Sequence, residues 1–424
     1  MRFNVFKNTV LLFVLAIISC GSNSQKEVSS LNLKNKDSKS LIIDASKQSI
    51  HVGANQTELY LPLLKNKRIG VVANQTSVIF KDTTHSVKTN TNSNTHIVDS
   101  LLALNIKIKK VFAPEHGFRG NVDAGETVKD GIDTKTNLPI ISLYGKNKKP
   151  SKEQLKNLDM LIFDIQDVGV RFYTYISSLH YIMEACAELS IPVLILDRPN
   201  PNGHYIDGPV LEIKNKSFLG MHPIPLVHGM TIGEYAQMIN GEQWLANSAV
   251  CNITVIPVKN YKHNTPYSLP IRPSPNLPND QAIKLYPSLG LFEGTNVNAG
   301  RGTEFQFQRY GAPFLDKKTL TFSYTPISNF GAKHPKHKNV ICYGKDLKDE
   351  TLNGVMTLKW IIDAYQNSTD KSLFFNKNNF TKHAGTDKLQ QQIEANMTEK
   401  QIKPTWAEGL ENFKKTRKKY LIYS

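Results

Sequence analysis

From about residue 48 to Val258 the chain alternates short β-branched runs with stretches whose apolar positions recur at helical spacing. That alternation is the signature of βαβ units, and it predicts an α/β fold with a mainly parallel sheet and helices on both faces. Arg68–Ala73 (RIGVVA), Ile108–Ala113, Pro139–Leu143 (PIISL), Met160–Phe163 (MLIF) and Pro192–Leu196 (PVLIL) read as strands. Ile253–Val258 (ITVIPV) closes the series, and Pro257 places it at an edge. Between the strands, Thr95 is the expected N-cap of a helix running to Leu104, and Ser151 caps a short helix. Thr174–Leu189 spaces Ile176, Leu179, Ile182, Met183 and Leu189 as a helix does, and Thr231 with Glu234 makes a capping box.

Past Asn260 the texture changes. Asn264–Pro278 (NTPYSLPIRPSPNLP) is too rich in proline for continuous helix or a central strand, so it reads as a linker or an extended wrap. Helices are expected around Leu358–Tyr365 and Lys388–Ala395. The pattern divides the chain into a larger α/β domain at 48–264 and a smaller C-terminal α/β or α+β domain at 265–424. Such a length suits two cores, because single cores stop growing near ~250–300 residues.

Four of the apolar strands end in polar clusters: Asn74/Gln75, Glu115/His116, Asp164/Asp167 and Asp197/Arg198. In open α/β sheets ligands bind outside the carboxyl ends of the strands, so these groups stand where a site would assemble. The densest of them is VFAPEHGFRG, Val111–Gly120, where Glu115, His116 and Arg119 follow a buried run on a turn eased by two glycines. Glu115 follows apolar Val111, Phe112 and Ala113, a setting that suits a proton-donating carboxyl; the competing reading is a solvated turn in which Glu115 caps the next element. Glu126, Asp164, Asp167 and Glu293 are the other loop carboxyls available to share acid and base work. Asp164 and Asp167 could equally pair with Arg171 as structure. Arg171-Phe172-Tyr173-Thr174-Tyr175 can stack on sugar rings and grip a carboxylate, or form a packed helix start. Glu293-Gly294-Thr295-Asn296 and Gly300-Arg301-Gly302-Thr303 add a glycine-rich loop carrying an acid, an amide and a cation.

Charge, cysteines and the first residues narrow the class. The formal charge of +16 favours an anionic surface or polymer, though its lysines are mostly scattered without aromatic interleaving. Arg2 and Lys7 precede the apolar run Thr9–Ile18, which is shorter than the ~20 residues a membrane span needs. Residues 1–19 therefore read as a signal peptide. Ile17-Ile18-Ser19-Cys20-Gly21 resembles a lipobox, which implies lipidation of Cys20 and an exported bacterial lipoprotein, periplasmic or associated with the outer membrane. Export argues against nucleic acid as partner. Ser22–Lys47 is rich in Ser, Asn and Lys and reads as a flexible tether. Cys186, Cys251 and Cys342 are scattered and odd in number, so they suggest packed thiols rather than a disulfide framework or a zinc site. Neither GxxxxGK[ST] nor GxGxxG after the first strand occurs, so no nucleotide cofactor is expected; GxSxG and HExxH are absent too.

VVANQTS (71–77), FAPEHGFRG (112–120), DAGE (123–126), FDIQDVGVRFYTY (163–175), LDRPNPNG (196–203), GMTIGE (229–234) and LFEGTNVNAGRGT (291–303) together resemble the exo-β-N-acetylmuramidases of the NamZ type, over roughly Lys65–Ser424. The resemblance implies a Rossmann-like domain, a smaller C-terminal domain and a cleft between them. It also implies release of N-acetylmuramic acid from the non-reducing end of peptidoglycan-derived muramyl glycans, without metal or nucleotide. The family's catalytic glutamate falls on Glu115 in the PEHG motif, with His116, Asp164, Asp167 and Glu293 as the groups that could assist it. The expected substrate-binding residues are Asn74, Gln75, Arg119, Arg171, Tyr173, Arg198, Asn296 and Arg301; muramic acid carries a lactyl carboxylate that Arg171, Arg198 or Arg301 could bind. Two other classes stay open: a non-catalytic cell-wall-binding lipoprotein that keeps the cleft, and a muropeptide amidase or deacetylase.

Overall fold

The computed structural model describes residues 49–81, 94–120 and 130–423. The expected signal peptide, Cys20, the tether and Glu126 lie outside the described residues.

The N-terminal part opens with α1 (Thr57–Leu64), β1 (Ile69–Ala73), β2 (Val78–Phe80), β3 (Asn94–His96), α2 (Ile97–Ala103) and β4 (Ile108–Ala113). It continues with β5 (Gly131–Ile132), β6 (Pro139–Ser142), α3 (Lys152–Leu155), β7 (Met160–Asp164), α4 (Tyr175–Glu188), β8 (Val193–Leu196), α5 (Ile232–Gly241) and β9 (Ile253–Ile256). Seven strands form one sheet in the order β5-β6-β4-β1-β7-β8-β9. All neighbours are parallel except β5, which runs antiparallel to β6. β9 is the edge that Pro257 foretold.

Each central strand is buried on both sides, so its residues alternate between two cores. Val71, Ala73, Ile162, Leu194 and Leu196 pack on the face covered by α1 and α2. Val72, Leu161, Phe163, Val193 and Ile195 pack on the face covered by α4 and α5. Ser151 and Thr231 cap α3 and α5 with complete capping boxes, using Gln154 and Glu234. Thr95 is not the N-cap of α2. It pairs with Ile79 in a two-stranded ribbon, and the His96 ring takes the cap by accepting the Val98 N–H.

The C-terminal domain contains α6 (Asp280–Leu289), β10 (Arg309–Ala312), β11 (Phe322–Tyr324), β12 (Cys342–Asp346), α7 (Lys359–Gln366), α8 (Lys377–Ala384), α9 (Lys388–Glu394), α10 (Glu399–Ile402) and α11 (Ala407–Arg417). Its sheet is antiparallel, in the order β10-β12-β11. Leu291, Phe307, Trp360 and Phe380 belong to the same core as Leu179 and Ile195. The chain returns to the parallel sheet at its far end. Tyr423 donates its hydroxyl to buried Asp197 at the end of β8, at 2.7 Å, and its backbone N–H and that of Ile422 bind Glu234 of α5. Cys186, Cys251 and Cys342 are free thiols, all buried.

Candidate active site

β1 stands where the strand order reverses: chain to its C-terminal side continues first to β4 on one flank and later to β7 on the other. That switch opens a crevice at the carboxyl ends of β4, β1 and β7. Ala113 ends β4, Gly117 binds back to the Pro114 carbonyl, and the turn carries His116 at φ 70°. A non-glycine residue held there is uncommon, and here it fixes Glu115 and His116 at the rim of the sheet.

A cavity of about 490 Å³ opens above this turn. The parallel-sheet domain contributes Glu115, His116, Tyr144, Lys148 and Phe172–Tyr175, and the proline-dense stretch contributes Ser274, Asn276 and Leu277. Tyr286 of α6, Glu293, Arg301, Phe307 and His383 of α8 close it from the C-terminal domain. The proline-dense stretch is thus a wrap that forms a wall. Its Pro273 carbonyl accepts from Tyr173 Oη at 2.7 Å and from Gln75 Nε2 at 3.1 Å.

Glu115 is half-buried and surrounded by hydroxyls. Tyr144 Oη donates to Oε1 at 3.3 Å, Thr174 Oγ1 to Oε2 at 3.4 Å, and Tyr175 Oη to the Glu115 carbonyl at 3.3 Å. Asn74 Nδ2 in turn donates to Tyr175 Oη at 2.9 Å, so Asn74 supports Glu115 from one contact away. Burial, and then the Glu115 charge, push the Tyr144 and Tyr175 hydroxyls well up, which keeps them protonated donors. On the other side, Arg301 grips Glu293 with Nε on Oε1 and Nη2 on Oε2, both at 3.0 Å. Burial opposes ionisation of Glu293, but Arg301 and Lys336 outweigh it and hold the carboxyl down to about 2. His383 donates from Nδ1 to the Asn379 carbonyl at 2.9 Å. Burial lowers its pKa, so the ring is neutral and Nε2 is left as an acceptor.

Of the residues expected at the site, Glu115, His116, Tyr173, Glu293 and Arg301 line the cavity. The others do not. Asp164 is fully buried under the sheet end, where Arg198 binds it at 2.6 and 2.9 Å, so both are consumed by one ion pair on neighbouring strands. Asp167 closes its turn by accepting the Gly169 N–H at 2.6 Å, and burial pushes its pKa up to about 7. Arg171 meets neither aspartate. Its guanidinium is wholly buried and donates to the carbonyls of Pro209, Ile224, His383 and Ala384 at 2.7–3.2 Å, stitching the start of α4 to the end of α8. Arg119 turns away to Asp133 and Asp99, and Asn296 is exposed with its amide on the Leu373 carbonyl. Tyr144, Lys148, Asn276, Tyr286 and His383 went unnoticed in the sequence, because only tertiary packing brings their segments to the crevice. Among the described residues, no three His, Cys, Asp or Glu side chains gather as metal ligands would.

The cavity thus presents two carboxyls, one held among hydroxyls and one clamped by an arginine, within a largely aromatic wall. Comparison with known proteins identifies the family. The family description "Exo-beta-N-acetylmuramidase NamZ, N-terminal" matches residues 69–281, and its C-terminal counterpart matches residues 284–423. Peptidoglycan beta-N-acetylmuramidase NamZ of Bacillus subtilis (strain 168) is 40% identical over 389 residues, covering 86% of this chain and 89% of that protein. The crystal structure of a DUF1343 family protein from Bacteroides fragilis superposes with a TM-score of 0.79 at 46% identity, covering 89% of this chain and 99% of that one. A second from the same organism gives 0.74 at 27% identity, over 89% and 100%. The chain belongs to the NamZ family of exo-β-N-acetylmuramidases.

Proposed function

We propose that this protein is a glycosidase that releases N-acetylmuramic acid from the non-reducing end of peptidoglycan-derived glycans, with Glu115 as general acid. The observation that carries the reading is Glu115 at the switch point of the sheet, facing the Glu293–Arg301 pair across the aromatic cavity. Protonation of the leaving oxygen by Glu115 leaves a carboxylate that the Tyr144 and Thr174 hydroxyls hold in place, while Tyr175 fixes its backbone carbonyl. Glu293, kept ionised, faces the positive charge that develops on the sugar ring. Its weak proton affinity suits charge stabilisation better than abstraction of a proton. Asp164 and Asp167 act as supports beneath the site. In this reading the protein is also exported and lipid-anchored through Cys20, which brings the cavity to cell-wall fragments.

The test is Glu115→Gln on a MurNAc–GlcNAc disaccharide, whose sugar leaving group needs the proton that a nitrophenolate does not. Loss of a general acid lowers kcat by about 10²- to 10⁴-fold. Undiminished turnover by the variant refutes the assignment. Saturable binding of muramyl glycans by the wild type with no sugar released would make the protein a binder instead, and release of peptide or acetate would make it an amidase or deacetylase.

A further inference from the structure

An acidic amino sugar calls for a cation in its pocket, and the arginines expected to supply one are engaged elsewhere. Arg171 serves four carbonyls, Arg198 serves Asp164, and Arg301 is neutralised by Glu293. Among the described residues, Lys148 is the other Lys or Arg lining the cavity. It follows β6 on the segment that also carries Tyr144, whose hydroxyl donates to Glu115. Its ammonium stands 4.4 Å from the centre of the Phe218 ring. Lys149 next to it is bound to Glu184 and Glu188 at 2.7 and 2.6 Å, whereas Lys148 has no carboxylate partner among the described residues. An aromatic face steadies a cation without neutralising it, so the charge stays available to a ligand. Phe218 and Leu219, both half-buried, carry the same wall onward as an apolar surface.

A half-buried ammonium beside an apolar wall matches the two sides of a lactyl ether, which offers a carboxylate and a methyl. We infer that Lys148 is the receptor for the lactyl carboxylate of N-acetylmuramic acid, with Phe218 and Leu219 taking its methyl. The inference rests on the muramidase reading and deepens it. It makes the enzyme selective for muramic acid over glucosamine, and for a free lactyl group over one amidated by a stem peptide, because an amide carries no charge for Lys148 to bind.

Three para-nitrophenyl β-glycosides test this in the purified protein: N-acetylmuraminide, its lactyl methylamide and N-acetylglucosaminide. A charged hydrogen bond in a partly dry site gives the wild type a preference of about 10- to 100-fold in kcat/KM for the free acid over the methylamide. Lys148→Met collapses that preference to below about threefold, chiefly through KM, while Lys148→Arg keeps most of it. Thermal midpoints of the two variants, with Lys148→Gln as a third, establish that the comparison is between folded proteins. A wild-type preference retained in Lys148→Met, or no preference in the wild type, overturns the receptor assignment. Cleavage of none of the three glycosides by the wild type overturns the muramidase reading itself, a distinct result.

Discussion

The Glu293–Arg301 pair makes a quantitative claim that Glu293→Gln can test, since glutamine replaces the carboxylate with a neutral group of the same shape. In the folded protein the Glu293 carboxyl lies at about 2, against an ordinary value of 4.5. That difference is worth about 3 kcal/mol at neutral pH, and with the side chain 25% exposed we take about 2–3 kcal/mol as the expected loss in the variant. The sign is that of a depressed acid. The contribution is complete above the unfolded value, and it drains away as the pH falls through about 4.5 towards about 2. Urea unfolding of wild type and Glu293→Gln at several pH values should therefore give a gap that narrows by about 1 kcal/mol between pH 7 and pH 3.5. A gap that stays flat with pH, or one below about 0.5 kcal/mol at pH 7, would mean that the clamp does not hold the charge as argued. Turnover should fall in the same variant, because Arg301 loses the partner that fixes it.

Two other outcomes are expected. Arg171→Met fills the space of the side chain but strands four buried carbonyls; against the relief of not burying a cation, we expect a net loss of about 3–5 kcal/mol in urea unfolding, and a loss under 1 kcal/mol would contradict the stitching role. Cys20→Ser should abolish incorporation of labelled palmitate and release the protein from the membrane fraction, and labelling that persists would end the anchor proposal.

How far the sequence could be read depended on the range of the forces involved. Buried parallel strands announce themselves as continuous apolar runs, and Ser151 and Thr231 close capping boxes within three residues, so both features were visible. The N-cap of α2 was misplaced by one residue because the pairing of Thr95 with Ile79 is a contact that local pattern does not encode. α6 was hidden by Pro287, which sits inside it near the C-terminal end. At the site, Glu115 was evident from its strand end, but its neighbours Tyr144 and Tyr286 arrive from distant segments. The errors over Arg171 and Arg198 share one cause. A sequence displays a charge but not what surrounds it. Converging carbonyls from 38 to 213 residues away took the first, and an aspartate one strand over took the second.

The docking of Tyr423 on Asp197 bears on the order in which the molecule can be completed. Buried Asp197 also receives the Thr231 hydroxyl and the Gly233 N–H, but Tyr423 lies 226 residues further along the chain. Domains generally fold as units. Here the polar plug beneath β8 cannot be seated until the C-terminal segment has returned to the parallel sheet. A chain that lacks Tyr423 keeps the Thr231 and Gly233 donors but leaves the buried Asp197 carboxylate one hydrogen bond short.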